Sequence, residues 1–164
     1  MLNGDMRVMY ATMMETRTTI INASFLPLIL CLSVAIRYSV VRRQFKNSSK
    51  SKEEVKLLDY QTQQMKLFPY LARALAQKFG ADFLNSQYRE MISQIDKGNF
   101  KLLDLVHHYS CGMKSLYTQT SFDGLLTIRQ SIGGAGFSAW STIPRVIDDY
   151  SPNPTFEGDN TVMF

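Results

Sequence analysis

Glu157 stands between an aromatic ring and a glycine in Pro154-Thr155-Phe156-Glu157-Gly158-Asp159-Asn160-Thr161, just after a proline-rich bend. A carboxylate beside an apolar ring and away from counter-charges holds its proton more tightly, and such tuning suits a general base. Proton abstraction by Glu157 is therefore the first chemical expectation. Taken alone, the same residue also reads as a solvated loop acid. No second acid, histidine triad or nucleophile stands at a spacing that defines a hydrolase.

Other chemistry-bearing clusters are weaker. Gly134-Ala135-Gly136-Phe137-Ser138-Ala139 fits the G-x-G-x-x-G/A dinucleotide fingerprint, with Glu157 about twenty residues on. That fingerprint needs a strand before it and a helix after it, whereas the preceding segment reads as helix and Pro144 interrupts the helix required after it. Glycines closing a helix, or letting backbone approach a bound cofactor, fit better. His107, His108 and Cys111 suggest a metal, but adjacent helical side chains diverge by about 100°, so only one histidine shares a face with Cys111. No further ligand is evident, and zinc requires three or four. Arg42-Arg43-Gln44-Phe45 reads as a basic helix end, and Tyr60-Gln61-Thr62-Gln63-Gln64 as a polar helix face.

These residues need a frame, and the frame reads as helical. The 164 residues are 45% hydrophobic and 20% charged, which suits one globular domain with a core. The net charge of +4 suits a phosphate-bearing ligand and is too scattered for nucleic acid. Two cysteines make no disulfide framework and point to a reducing compartment. Residues 20 to 36 are mostly apolar and flanked by Arg17 and Arg37. They are short for a membrane span and carry Asn22, Ser24, Pro27 and Ser33, so a buried helix is expected and no membrane partner. Pro27 should kink or split the helical run from 6 to 45. The clearest linker covers about 47–55.

Beyond that linker, Met65, Phe68, Ala72, Leu75 and Phe79 recur at helical steps, with Pro69 expected to bend the helix and Gly80 and Gly98 as candidate breaks. Leu102, Leu105, Tyr109, Met113, Leu116 and Thr120 repeat the spacing in a segment expected to continue to Ser131. The expectation is an all-α antiparallel bundle in which 55–95 packs against 102–128, followed by loops and short turns after Gly133.

Taken together, Ala35-Ile36-Arg37-Tyr38-Ser39, Arg42-x-x-Phe45, Asp59-Tyr60-Gln61-Thr62-Gln63-Gln64, Lys66-Leu67-Phe68-Pro69, Gln130-x-x-Gly133-Gly134-x-Gly136-Phe137 and Phe156-Glu157-Gly158 resemble the C-terminal helical domain of the acyl-CoA dehydrogenase and oxidase superfamily. The resemblance covers about residues 5 to 163. The oxidase branch is closer, through residues 35 to 39, 59 to 64, 66 to 69 and 155 to 163, where dehydrogenases usually carry a Thr after Glu-Gly.

The resemblance implies FAD-dependent desaturation of fatty acyl-CoA to trans-2-enoyl-CoA, with O2 reduced to H2O2, in peroxisomal β-oxidation. Glu157 would take the α-proton, and its backbone N–H would face the thioester oxygen as an oxyanion donor. Gly158 would leave room for the thioester. Arg42 would reach an FAD phosphate and Phe45 would lie against the cofactor. Gln61, Gln130 and the Gly133 and Gly134 backbone would meet its adenine–pyrophosphate end across a homodimer interface. Asp159 falls at a cofactor-contacting position that holds Thr in dehydrogenases, and Lys46 replaces a glycine common in relatives.

Relatives also place a helical domain and a flavin-cradling β domain ahead of this region and a helical region after it. The resemblance thus implies a piece of a longer enzyme, inactive and weak in FAD binding when isolated. No Ser-Lys-Leu ending is present. A dehydrogenase, or a non-catalytic helical dimerisation scaffold, is the alternative reading.

Overall fold

Ser24 breaks the first apolar run. Its hydroxyl donates to the Ile20 carbonyl at 2.7 Å and its N–H to Ile21 at 3.3 Å, separating α1 (Met6–Ala23) from α2 (Phe25–Val41). Pro27 falls in the first turn of α2, where a missing N–H costs no intrahelical bond. The proline therefore marks the split expected from the sequence, three residues beyond the break itself. The computed structural model describes residues 6–50 and 52–163, with side chains from residue 10 onward.

The remaining helices are α3 (Gln61–Ile95), α4 (Leu103–Ser131), α5 (Gly134–Phe137), α6 (Ile143–Tyr150) and α7 (Asn160–Met163), with single 3-10 turns at Leu57–Asp59 and Ala139–Ser141. The all-α expectation holds: among the described residues the sole β feature is one bridge between Arg43 and Lys56. That bridge closes the polar 47–55 segment. Gln44 N–H donates to Val55 at 2.9 Å, Val55 N–H to Phe45 at 2.8 Å and Leu57 N–H to Arg42 at 2.9 Å. The expected linker is thus the tip of a closed loop.

The chain divides into two compact units, residues 6–25, 75–120 and 152–163 in one, and residues 26–74 and 121–151 in the other. In the first, Ala11, Met14 and Ile21 of α1 join Ala81, Leu84, Met91, Leu103 and Val106 in one buried cluster. The second buries Leu28, Cys31, Leu32 and Ala35 of α2, along with Leu67, Ala74, Leu125 and Ile128. By length and composition alone, the Tyr10–Val41 stretch would pass as a membrane span.

α3 and α4 run antiparallel with a seven-residue register. In the second unit Gln63 bonds the Ser131 carbonyl, and a Cβ at Gly124 would lie 2.7 Å from Tyr70 Cδ1. In the first, Gln77 donates to the Tyr117 carbonyl at 3.3 Å, and Met91 and Leu103 share the buried cluster. Leu84 and Ser110, at the intervening step, are both fully buried. Sevens on facing helices describe a coiled-coil-like seam. Gly80 stays helical within α3, as does Pro69, and Gly98 ends it with φ 77°.

One expectation fails here. The stripe Met65, Phe68, Ala72, Leu75 and Phe79 does not line the seam; Met65 is 75% exposed and Phe79 73%. The seam face carries Gln63, Leu67, Ala74, Gln77, Ala81, Leu84 and Met91 instead. α3 bears two apolar stripes, and close helix approach selects the one with small residues. On α4, Leu105 and Leu116 are likewise exposed, while Tyr109 and Met113, with Leu102 just before the helix, pack against the cluster.

Candidate functional site

The loop that carries Glu157 begins as a turn built on prolines. Thr155 and Phe156 N–H both donate to the Pro152 carbonyl, at 2.9 and 3.1 Å, and Asn160 N–H donates to Pro154 at 3.1 Å. Proline presets φ and has no N–H to satisfy, so it suits such a bend. Glu157 itself has φ 58° and Gly158 has φ 116°. A left-handed glutamate is uncommon, and such residues gather where surroundings over-determine the backbone. At Gly158 a Cβ would lie 2.4 Å from Met163 Sδ, so both its φ and its neighbour require glycine.

Two cations reach this loop. Arg17, buried on α1, donates from Nε to the Glu157 carbonyl at 3.0 Å. Lys114, fully buried on α4, donates from Nζ to the Gly158 carbonyl at 2.6 Å, to Asn160 Oδ1 at 3.0 Å and to the Pro154 carbonyl at 3.3 Å. Burial lowers Lys114 below its ordinary value; the Asp159 carboxylate opposes this, Arg17 adds to it, and the Glu157 carboxylate opposes it again. The expected setting of Glu157, free of counter-charge, is therefore corrected: the loop lies against two cationic side chains. Among the described residues the Glu157 N–H makes no hydrogen bond.

Asp159 accepts from Thr161 N–H at 2.8 Å and so caps α7. Arg17 continues into a second cluster, its NH1 lying 3.3 Å from Cys111 Sγ. Cys111 Sγ is 3.6 Å from His107 Nε2, and the Tyr10 hydroxyl is 2.7 Å from His107 Nδ1. His107 and Cys111 share a face as the spacing required. Among the described residues no group of three or more His, Cys, Asp or Glu could hold a metal.

The other residues nominated from sequence lie in the second unit, at helix ends gathered by one glutamine. Gln63 Nε2, at the start of α3, donates to Ser39 Oγ near the end of α2 at 2.9 Å and to the Ser131 carbonyl ending α4 at 3.0 Å. Arg42 follows α2, Gln61 opens α3, Gln130 lies in the last turn of α4, and Gly133 and Gly134 lead into α5. Phe45 has φ 61° and is 69% exposed. It borders a shallow groove of about 260 Å³ with Gln44, Leu57, Tyr60, Thr62 and Gln63, whereas Gln61 lines a separate groove with Gln64, Met65, Phe68 and Pro69. A Cβ at Gly133 or Gly134 would meet nothing within 4 Å, so that backbone is open to approach. No hydrogen bond engages the Arg42, Gln61 or Gln130 side chain among the described residues. The segment 134–139 follows a helix, not a strand, which removes the Rossmann reading.

Sequence reasoning missed Gln63, Lys114 and Arg17. Gln63 sat in a polar run in which Gln61 drew attention. Lys114 had a readable signal in Ser110, Thr118 and Ser121, small hydroxyls that leave space on one helix face.

Residues 10–164 match the family described as "Acyl-CoA oxidase, C-alpha1 domain". The chain is 37% identical over 157 residues to mouse peroxisomal acyl-coenzyme A oxidase 1, covering 96% of this chain and 24% of that protein. It superposes on Arabidopsis thaliana acyl-CoA oxidase 1 with a TM-score of 0.89 at 36% identity, covering 94% of this chain and 23% of that one. The Caenorhabditis elegans acyl-CoA oxidase-2, solved with FAD, ascaroside-CoA and ATP, gives a TM-score of 0.89 at 36% identity, with the same shares of 94% and 23%. The chain belongs to the acyl-CoA oxidase family. It spans about a quarter of the length of the curated relatives it matches.

Proposed function

We propose that this chain supplies the base-bearing segment of an acyl-CoA oxidase, which desaturates fatty acyl-CoA to trans-2-enoyl-CoA and reduces O2 to H2O2 in peroxisomal β-oxidation. The observation that carries the reading is Glu157 itself, half-buried and held at φ 58° with its N–H unengaged among the described residues. Its carboxylate takes the α-proton of the thioester. Its N–H donates to the thioester oxygen as negative charge gathers there, a fixed dipole that needs no reorganisation. Gly158 keeps the next residue free of a side chain that would crowd the thioester.

FAD, when bound, supplies the acceptor for the β-hydrogen that leaves as hydride and the route of two electrons to O2. The residues present fit such a group. Arg42 offers a fork of donors for phosphate, Phe45 an exposed ring, and Gln61 and Gln130 donors for its adenine–pyrophosphate end, beside a Gly133 and Gly134 backbone that no side chain screens. Asp159, which caps α7, is read as a cofactor contact by its position in the motif alone. The exposed Met65, Phe68, Leu75, Phe79 and Phe83 side chains of α3 support association into a homodimer.

The test is a chimera in which this chain replaces the matching quarter of the mouse relative. Oxygen-dependent H2O2 release with a fatty acyl-CoA is expected. Electron transfer to an artificial acceptor without H2O2 would mark a dehydrogenase, and a stable dimer without flavin or turnover would mark a scaffold.

A further inference from the structure

We infer that Lys114 is the positioning residue for the proposed base: its buried ammonium grips the loop on both sides of Glu157 and sets the backbone that presents the carboxylate. The inference rests on reading Glu157 as that base. An ammonium has three N–H donors, and Lys114 meets three acceptors, the carbonyls of Pro154 and Gly158 and the Asn160 side chain. These positions bracket Glu157. The carbonyl of Glu157 itself, next to that of Gly158, is taken by Arg17. The two peptide oxygens that follow the Glu157 Cα are thus each held by a cationic side chain.

The Asn160 end is fixed in turn. Asn160 Nδ2 donates to Thr118 Oγ1 at 3.0 Å, and Thr118 Oγ1 donates to the Lys114 carbonyl at 2.8 Å, one turn along the same helix. Lys114, Thr118 and Asn160 are all buried. A buried ion is a poor stability device, since an apolar residue of similar volume commonly serves the fold as well or better. What an ammonium adds here is direction: it converges three chain positions on one point. A glutamate at positive φ persists only when its surroundings impose it, and Lys114 and Arg17 hold the carbonyls on either side of that strain.

The test compares wild type with Lys114→Met, which keeps length and loses every donor, and Lys114→Gln, which keeps two. In the chain alone, the hydrogen-bonded amides of Thr155, Phe156 and Asn160 should exchange hydrogen about tenfold faster or more in Lys114→Met, with a smaller rise in Lys114→Gln and unchanged protection at 81–91. In the mouse chimera, kcat per bound flavin should fall about 100-fold in Lys114→Met and about tenfold in Lys114→Gln, with KM within about threefold of wild type. A wild-type chimera without H2O2 release would defeat the oxidase reading, leaving the exchange data to judge Lys114. Unchanged exchange at Thr155, Phe156 and Asn160, or wild-type kcat per flavin, would overturn the inference. Should Lys114→Met not fold, Lys114→Gln carries the same comparisons.

Discussion

The Lys114 ammonium donates to the Gly158 carbonyl at 2.6 Å, joining the middle of α4 to the residue after Glu157. A loop acid is thereby tied to the most regular part of its unit. Arg17 makes the companion bond from α1. The candidate base is exposed enough to act and held well enough to aim.

Gln63 should matter more to stability than its polar side chain suggests. Replacing it with Leu removes the donor to Ser131 and Ser39 and strands a buried carbonyl at the end of α4. The cost should be about 1–3 kcal/mol, read as a lower denaturant midpoint with unchanged slope. An unchanged midpoint would show that the tie across the helix ends carries no stability.

His107 gives a pH signature. Burial lowers it from 6.5, Arg17 adds to the lowering, Asp104 opposes it and His108 adds to it again. The unfolded chain therefore takes the proton first as pH falls. The stability this confers is fully present above about 6.5 and is lost as pH drops toward the folded value. An NMR titration of the ring should give a midpoint below 6.5. A midpoint above that value would contradict the burial of the ring against Tyr10.

Cys31 should resist thiol reagents. It is 1% exposed, and burial pushes its thiol up to about 11. At pH 8 its thiolate is then about a thousandth of the population. In a Cys111→Ser variant, a disulfide reagent should label Cys31 only at the rate of global unfolding. Rapid labelling of the folded chain would place Cys31 outside the core of α2.

The C-terminal ends of α3 and α4 were legible because period and breakers are local properties; the helices after Gly133 were not, since Pro144 lies in the first turn of α6 and does not interrupt a helix. The inward face of α3 was not legible either. Met65, Phe68 and Phe79 have the right step and the larger apolar area, yet the helices approach over Ala74, Gln77 and Ala81. Periodicity reports a stripe without saying what covers it. Glu157 is nominated by its neighbours in a motif, whereas Lys114 has only the small hydroxyls along its helix face as a signal, and a lysine in mid-helix ordinarily reads as solvated. Its partners lie forty or more positions away, a distance that only the fold removes.

Glu157 as the base is best tested by anaerobic flavin reduction with a fatty acyl-CoA in the mouse chimera, wild type against Glu157→Gln. The amide is nearly isosteric and cannot take a proton. Bound flavin at wild-type stoichiometry and reduction slowed about 10⁴-fold are therefore expected. Reduction by Glu157→Gln at the wild-type rate would contradict Glu157 as the base.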